Sequence, residues 1–154
     1  MIRRRERLDR VHPLLRGVVI FAAPRLPFDI IVVEGARTRA RQVQLFAQGR
    51  TTSEMRAAGI EGVAGQPHLK KVTWTLDSKH IPGADGFSRA VDIAPVAGPD
   101  ILWAHTDKFD AIAAEMFAGG KVLSVKIRWG ADWDRDGKAR EKRENDSPHW
   151  ELDG

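Results

Sequence analysis

The chain has 154 residues, no cysteine, and 25 Lys/Arg against 21 Asp/Glu, for a formal charge of +4. Without cysteine neither a disulfide framework nor a thiolate metal site is possible, so any metal must be held by His and carboxylate, a donor set that suits a catalytic site better than a structural one. The length fits one domain, residues 1–154, able to bury roughly 68–70% of its unfolded surface, and no apolar run approaches the ~20 residues needed to span a bilayer.

Charge is uneven along the chain. Residues 1–50 carry eleven Lys/Arg against four Asp/Glu, whereas residues 131–154 carry five against eight. A basic half could meet nucleic acid, an anionic envelope or nothing in particular, and mixed charges are most often a solvated face. The basic stretch has no interleaved aromatics to stack bases and no nucleic-acid motif, so a nucleic-acid partner is not expected.

Leu14, Leu15, Val18, Val19 and Ala22 fall at helical spacing, with Pro13 suited to the first turn. Arg16 interrupts the apolar run, so this reads as a core-facing helix and not as a cleaved leader. After Pro24 and Pro27, the run from Phe28 to Val33 is the clearest strand signal. It delivers Glu34 and Arg37 at its end, and Thr38 can cap a helix through Gln42, Val43, Leu45 and Phe46, ended by Gly49. At such a strand-to-helix turn the Arg37 guanidinium could bind a carboxylate or polarise a carbonyl; the plainer alternative is a surface salt bridge with Glu34.

Residues 51–77 read as a long loop with a possible strand over Val72–Leu76. Loops of this length are often functional, so this one is a candidate wall of a substrate groove. His68, within it, reads as solvent-exposed. The stretch Ser78–Pro95 follows, with His80 on a Gly/Pro-rich loop and Asp92 in a short apolar strand, Ala90–Ala94. Alternation puts Asp92 on one face and Val91 and Ile93 on the other. A carboxylate among apolar neighbours needs a positive partner, and imidazole and carboxylate are both zinc ligands; the alternative is a turn with an exposed His and an N-capping Asp.

Farther on, Thr106 or Asp107 starts a helix that places Phe109, Ile112, Ala113, Met116 and Phe117 on one face, with Gly119-Gly120 as its stop. Val122–Trp129 reads as a strand. Asp132-x-Asp134-x-Asp136-Gly137 mimics the start of a calcium loop, but Arg143 stands at the twelfth position, where a bidentate Glu belongs, so a polar acidic turn is the reading taken. In the terminal strand His149 and Glu151 share a face, opposite Trp150 and Leu152. His149 is the candidate third ligand beside His80 and Asp92.

Ser78-x-His80, Ala90-x-Asp92 and the terminal Asp146-x-x-His149-Trp150-Glu151 resemble the zinc D,D-carboxypeptidase and L-alanyl-D-glutamate peptidase superfamily, which includes phage endolysins. Glu34-Gly35-Ala36-Arg37-Thr38, with Gln42 and Leu45, is similar to that family's Gly-x-Arg-Ser/Thr segment, and Gly130-Ala131-Asp132-Trp133 to its Gly-Gly-Asp-Trp segment. The likeness runs from His12 to Leu152 in the family's order. It departs where His80 and Asp92 stand twelve positions apart, across an insert with Pro82, Gly83, Asp85 and Gly86, and where Ser88 replaces a usual Gly.

The resemblance implies an α+β domain: a small, largely antiparallel sheet with helices on one side. It implies one catalytic zinc on His80, Asp92 and His149, with Arg37 in the cleft. Asp146 is the expected general base, Glu144 and Glu151 being the other candidates. The implied substrate is the stem peptide of bacterial peptidoglycan, cut at L-Ala–D-Glu by a phage or prophage endolysin acting as a monomer. A D-Ala-D-Ala carboxypeptidase with the same ligands and a non-enzymatic wall-binding module are the alternatives. With no leader visible, the chain is expected to be made in the host cytoplasm and to reach the wall through a separate membrane-permeabilising protein.

Overall fold

The structure, a computed structural model, describes all 154 residues. Six strands, β1 (Ile2–Arg3), β2 (Asp29–Glu34), β3 (Ala90–Ala97), β4 (Asp100–Ile101), β5 (Ile127–Trp129) and β6 (His149–Leu152), make one sheet in the order β1-β2-β3-β6-β5. β4 folds back onto the end of β3. Only the β1–β2 pair is parallel, so the sheet is largely antiparallel and the α+β expectation holds.

Two helices, α1 (Pro13–Ala22) and α4 (Thr106–Leu123), pack together over the face that carries Val91 and Ile93. The alternation expected in β3 is observed, because Asp92 is left on the opposite face, away from this core. Pro13 opens α1, and the His12 ring caps it through Leu14 N–H at 3.3 Å. Leu15, Val18, Val19 and Ala22 are buried as the spacing predicts, whereas Leu14 is exposed on the outer side of the first turn.

In α4, Phe109, Ile112, Ala113 and Met116 are buried, but Phe117 lies at the rim and is half exposed. Gly119-Gly120 does not stop this helix. It continues to Leu123 and ends on Ser124 in the left-handed region, φ 57°. The glycine signal has a packing cause: a Cβ on Gly119 would come within 2.7 Å of the Phe21 ring, so the small residue lets α1 and α4 approach. The expected strand from Val122 is accordingly cut to Ile127–Trp129.

A smaller unit sits beside the sheet. α2 (Arg39–Ala47), capped by Thr38, and α3 (Thr52–Ala57), closed by a Thr51/Glu54 capping box, gather Phe46, Ala47 and Met55 into a satellite core. The helix α3 lies within what the sequence presents as loop; Thr-x-x-Glu was its legible signal. Val72–Leu76 is not a strand. It runs as irregular chain with no sheet partner, and of its apolar residues only Leu76 packs on the satellite core.

Candidate active site

Strand register assembles the site. Glu34 lies opposite Asp92, and Asp92 lies opposite His149. Opposed residues of an antiparallel pair share a face at about 4.5–5.5 Å between Cβ atoms, so three residues far apart in sequence form one row across β2, β3 and β6. A register shift between Val32 and Glu34 falls at the end of β2, where a bulge re-aims the chain toward this row.

His80 is brought to the row by its loop. Its ring is buried at 2% exposure, with Nδ1 at 2.8 Å from the Gly35 carbonyl and Nε2 at 3.2 Å from Asp92 Oδ1. A carbonyl only accepts, so Nδ1 carries a proton, and Nε2, on the Asp92 side, is the nitrogen that a metal ion would meet. His149 is tied in the opposite sense: Nδ1 is 3.1 Å from Asp92 Oδ1, and Nε2 is 3.0 Å from Glu151 Oε1. His80, Asp92 and His149 thus offer three ligand atoms, all within 4.8 Å of one another, that could hold one metal ion. Each histidine has its far nitrogen fixed by an oxygen, the outer-shell arrangement common to metal-binding imidazoles.

Glu151 is buried and also meets Lys79 Nζ at 2.6 Å. It therefore lies behind His149, not over the row. The charges are mutually supporting. Desolvation alone would raise the Asp92 pKa, but hydrogen bonds from His149 and His80 hold it well below the usual carboxylate range. Desolvation would lower His149, yet its bonds to Asp92 and Glu151 push it up to about 9. Without a metal the site is an imidazolium clamped between two carboxylates.

Asp146 stands on the turn entering β6, and backbone bonds hold that turn on both sides. Asp146 N–H donates to Gly130 C=O at 3.1 Å, Gly130 N–H to His149 C=O at 2.8 Å, and His149 N–H to Asp146 C=O at 3.1 Å. Gly130 has a reason to lack a side chain: a Cβ there would lie 2.4 Å from Asp146 O and 3.0 Å from His149 Cβ. Trp129 Nε1–H donates to Ser147 C=O at 2.7 Å and stacks on Trp150. Although Asp146 is exposed as a residue, its carboxyl stands in the crowded cleft. Desolvation raises its pKa above the ordinary value, against the pull of His149, and the charges of Asp92, His80 and Arg37 are felt there too.

Arg37 does pair with Glu34, but not as a surface bridge, for its side chain is only 10% exposed. Nε donates to Glu34 Oε1 at 2.7 Å, Nη2 donates to Glu34 Oε2, and Nη1 donates to Gln42 Oε1 at 2.7 Å. Three of its five N–H groups are so used, and two remain. Gln42, fully buried on α2, passes the connection on through Nε2 to the Thr75 carbonyl at 2.7 Å and to Thr73 Oγ1 at 3.3 Å. This tie fixes the 66–77 loop beside Arg37.

The insert between His80 and Asp92 closes on itself. Arg89 clasps Asp85 at 2.7 and 2.8 Å, and Arg89 N–H returns to the Lys79 carbonyl at 2.8 Å. The Arg89 bonds, with a further one from Phe87 N–H, lower the Asp85 pKa to about 2. Ser88, buried, is anchored by its backbone to Arg10 and His12. His68 is exposed, as expected.

In the acidic turn, Asp132 accepts from Asp136 N–H and Gly137 N–H at 3.1 Å, and Asp136 accepts from Lys138 N–H at 2.8 Å. These are bonds of a self-capped turn. Glu144, in place of Arg143, reaches this turn: its Oε1 accepts from Asp134 N–H at 3.0 Å, and its Oε2 is buried without a partner. With Asp134 and Glu141 it forms a second acidic group, and the charges of Asp136 and its neighbours raise the Glu141 pKa. Glu144 thus belongs to this turn and not to the His80–Asp92–His149 row. Sequence reasoning named Trp133 and Gln42 only as members of motifs and gave neither a place at the site: the Trp133 ring lies 5.4 Å from that of His149, and the helical spacing of Gln42 gave no hint of its polar link.

No helix is long and apolar enough to cross a membrane. The model of the phage L-alanyl-D-glutamate peptidase family matches residues 64–153. The L-alanyl-D-glutamate peptidase of Escherichia phage T5 is 31% identical over 132 residues, which span 86% of this chain and 79% of that protein. In fold, the chain matches the crystal structure of Serratia marcescens L-Ala D-Glu endopeptidase ChiX with a TM-score of 0.66 at 23% identity, over 99% of this chain and 90% of that one. The ordered motifs, the cross-strand row and these likenesses agree: the chain belongs to the phage L-alanyl-D-glutamate peptidase family.

Proposed function

We propose that residues 1–154 work as a single zinc peptidase domain that hydrolyses the L-Ala–D-Glu bond in the stem peptide of bacterial peptidoglycan, as a phage or prophage endolysin. The observation that carries the metal is the backing of the site: His80 and His149 face Asp92 with their far nitrogens already held by Gly35 C=O and Glu151. Two neutral imidazoles, one carboxylate and no thiolate fit zinc in a catalytic site that leaves a coordination position free. Zinc bound there supplies Lewis-acid activation of water and of the scissile carbonyl.

The chain's own residues supply the rest. Asp146 takes the proton from the attacking water and hands it to the leaving D-glutamyl amine, a role worth about 10²–10⁴-fold in rate. A carboxyl raised by desolvation suits both halves of that transfer. The two unused Arg37 N–H groups bind a substrate carboxylate or carbonyl, while Glu34 and Gln42 fix the plane of the guanidinium. Glu151 keeps His149 in the tautomer that offers Nδ1 to the metal. The names of the similar proteins favour L-Ala–D-Glu over D-Ala-D-Ala, and digestion of defined muropeptides tests that choice. The chain is proposed to act as a monomer at the cell wall.

The decisive experiment measures zinc content and peptidoglycan hydrolysis on the same preparations. His80→Ala, Asp92→Ala and His149→Ala should each lose both. Asp146→Asn should fold, keep zinc and lose about two to four orders of magnitude in rate. Stoichiometric zinc in all three alanine variants sinks the ligand set; normal turnover by Asp146→Asn sinks the base.

A further inference from the structure

Trp74 is the most exposed tryptophan, at 78%, and it stands on a loop that is not free to wander. Leu69 and Val72 on the same loop are also exposed. Three exposed apolar side chains on one loop are a candidate contact surface when they are contiguous. Its surroundings are cationic. Lys71 Nζ lies 4.9 Å from the indole centroid and Arg50 Cζ 5.9 Å from it. Arg50 is itself held rigid, 7% exposed, 3.7 Å above the Phe46 ring and bonded to the Phe46 carbonyl.

The loop is joined to the catalytic cleft. Arg37 Nη1 meets Gln42 Oε1 at 2.7 Å, and Gln42 Nε2 meets the carbonyl of Thr75, the residue after Trp74, at 2.7 Å. Two short bonds and one amide therefore separate the guanidinium from the backbone beside Trp74. The substrate carries a sugar close to its scissile bond. In peptidoglycan the L-alanine amine is acylated by the lactyl group of a muramyl sugar. Six bonds, roughly 8 Å when extended, lie between the scissile carbonyl carbon and the sugar ring. A stem peptide cut after its first residue must bring its glycan strand alongside the cleft.

We propose that the 69–77 loop is a glycan subsite, in which the Trp74 indole packs on the C–H face of a sugar ring and the exposed Lys71 ammonium donates to its acyl and hydroxyl oxygens, with Arg50 fixed beneath as a second positive charge. This rests on the L-alanyl-D-glutamate reading. Sugar rings present an apolar face ringed by acceptors, which an indole beside an exposed ammonium complements. A bare peptide has nothing to place there.

The test uses two substrates with the same stem peptide: one linked to a disaccharide, and one acylated at L-alanine by a lactyl group alone. Wild type should favour the glycosylated substrate in kcat/KM. Trp74→Ala should lose about tenfold on that substrate and nothing on the bare peptide, the scale of deleting one aromatic anchor. Trp74→Phe should recover part of the loss, and zinc content should not change. No wild-type preference, or an equal loss on both substrates, overturns the subsite. Wild type that cuts neither substrate overturns the functional reading instead. A Trp74→Ala defect seen only on intact walls, and abolished by stripping their anionic polymers, assigns the loop to those polymers and refutes the glycan.

Discussion

Glu151→Gln separates a group that holds the proposed metal ligand His149 from one that does the chemistry. Glu151 Oε1 is 3.0 Å from His149 Nε2, and Oε2 is 2.6 Å from Lys79 Nζ. The glutamine amide keeps the volume and one acceptor oxygen, so His149 can still donate to it. What is lost is the charge that would make His149 a stronger ligand and the partner that neutralises Lys79. Removal of such a supporting carboxylate costs about 10–100-fold in metal affinity, or about 1.4–2.7 kcal/mol. The lower half of that range is expected because the hydrogen bond survives. In the metal-free protein the same change should bring the His149 pKa down from about 9, since one of its two carboxylate bonds becomes neutral. Competition titration with a zinc chelator reads the first effect and imidazole NMR of the metal-free chain the second. At saturating zinc the turnover should remain close to wild type. Unchanged zinc affinity combined with a dead enzyme would make Glu151 the proton acceptor and refute the positioning role.

Arg37→Lys should impair substrate binding or turnover with zinc content unchanged, because an ammonium cannot span Glu34 and Gln42 and still present two donors to the cleft; wild-type kinetics in a folded variant would leave Arg37 a structural ion pair. Zinc affinity should rise about tenfold per pH unit below pH 9, because binding must displace one proton from His149, and a flat affinity between pH 6 and 8 would refute the clamped imidazolium. For the metal-free fold the sign follows from both partners: the raised His149 pKa contributes stability that is full below 6.5 and lost toward 9. The lowered Asp92 pKa contributes stability present above 3.8 and lost as the pH falls below it. Thermal melting of the chelated protein should therefore be best between these limits. Millimolar calcium should leave the Tm of wild type unchanged, because the acidic turn is capped by its own amides; a rise that Glu144→Gln abolishes would make the turn a cation site.

The parts of this protein that were legible in the sequence are those where chemistry and periodicity coincide. Alternation around Asp92 and around His149 fixed which face each side chain takes, and the sheet then places the two directly opposite one another. Helix α1 was readable because Pro13 and a repeating apolar face agree. The failures share a cause, tertiary contact overriding a local signal. Gly119-Gly120 looks like a helix stop but serves a helix crossing. Val72–Leu76 has β-branched residues and no strand beside it to pair with. Gln42 is polar at a helix position, and only the fold shows that it bridges Arg37 and the loop carbonyl of Thr75. Glu151 was legible as sharing a face with His149, but not as the residue behind it.

The tolerance of the twelve-residue spacing from His80 to Asp92 follows from the way the site is divided between sheet and loop. Asp92 and His149 are held by register, which no loop length alters while β3 and β6 stay paired. His80 depends instead on contacts close to its own ring: the Gly35 carbonyl on Nδ1, and a backbone bond from Arg37 N–H to the His80 carbonyl at 2.7 Å. The insert is closed before it reaches either anchor, by the Asp85–Arg89 pair and by the Arg89-to-Lys79 backbone bond. Extra residues between those closures add loop entropy that grows only slowly with length, and they move no ligand. The same segment carries Lys79, which meets Glu151 from the far side. One short stretch, Lys79-His80, thus supplies a proposed ligand to the cleft and a counter-charge to the carboxylate behind the opposite one, so the spacing that matters chemically is the one-position step from Lys79 to His80.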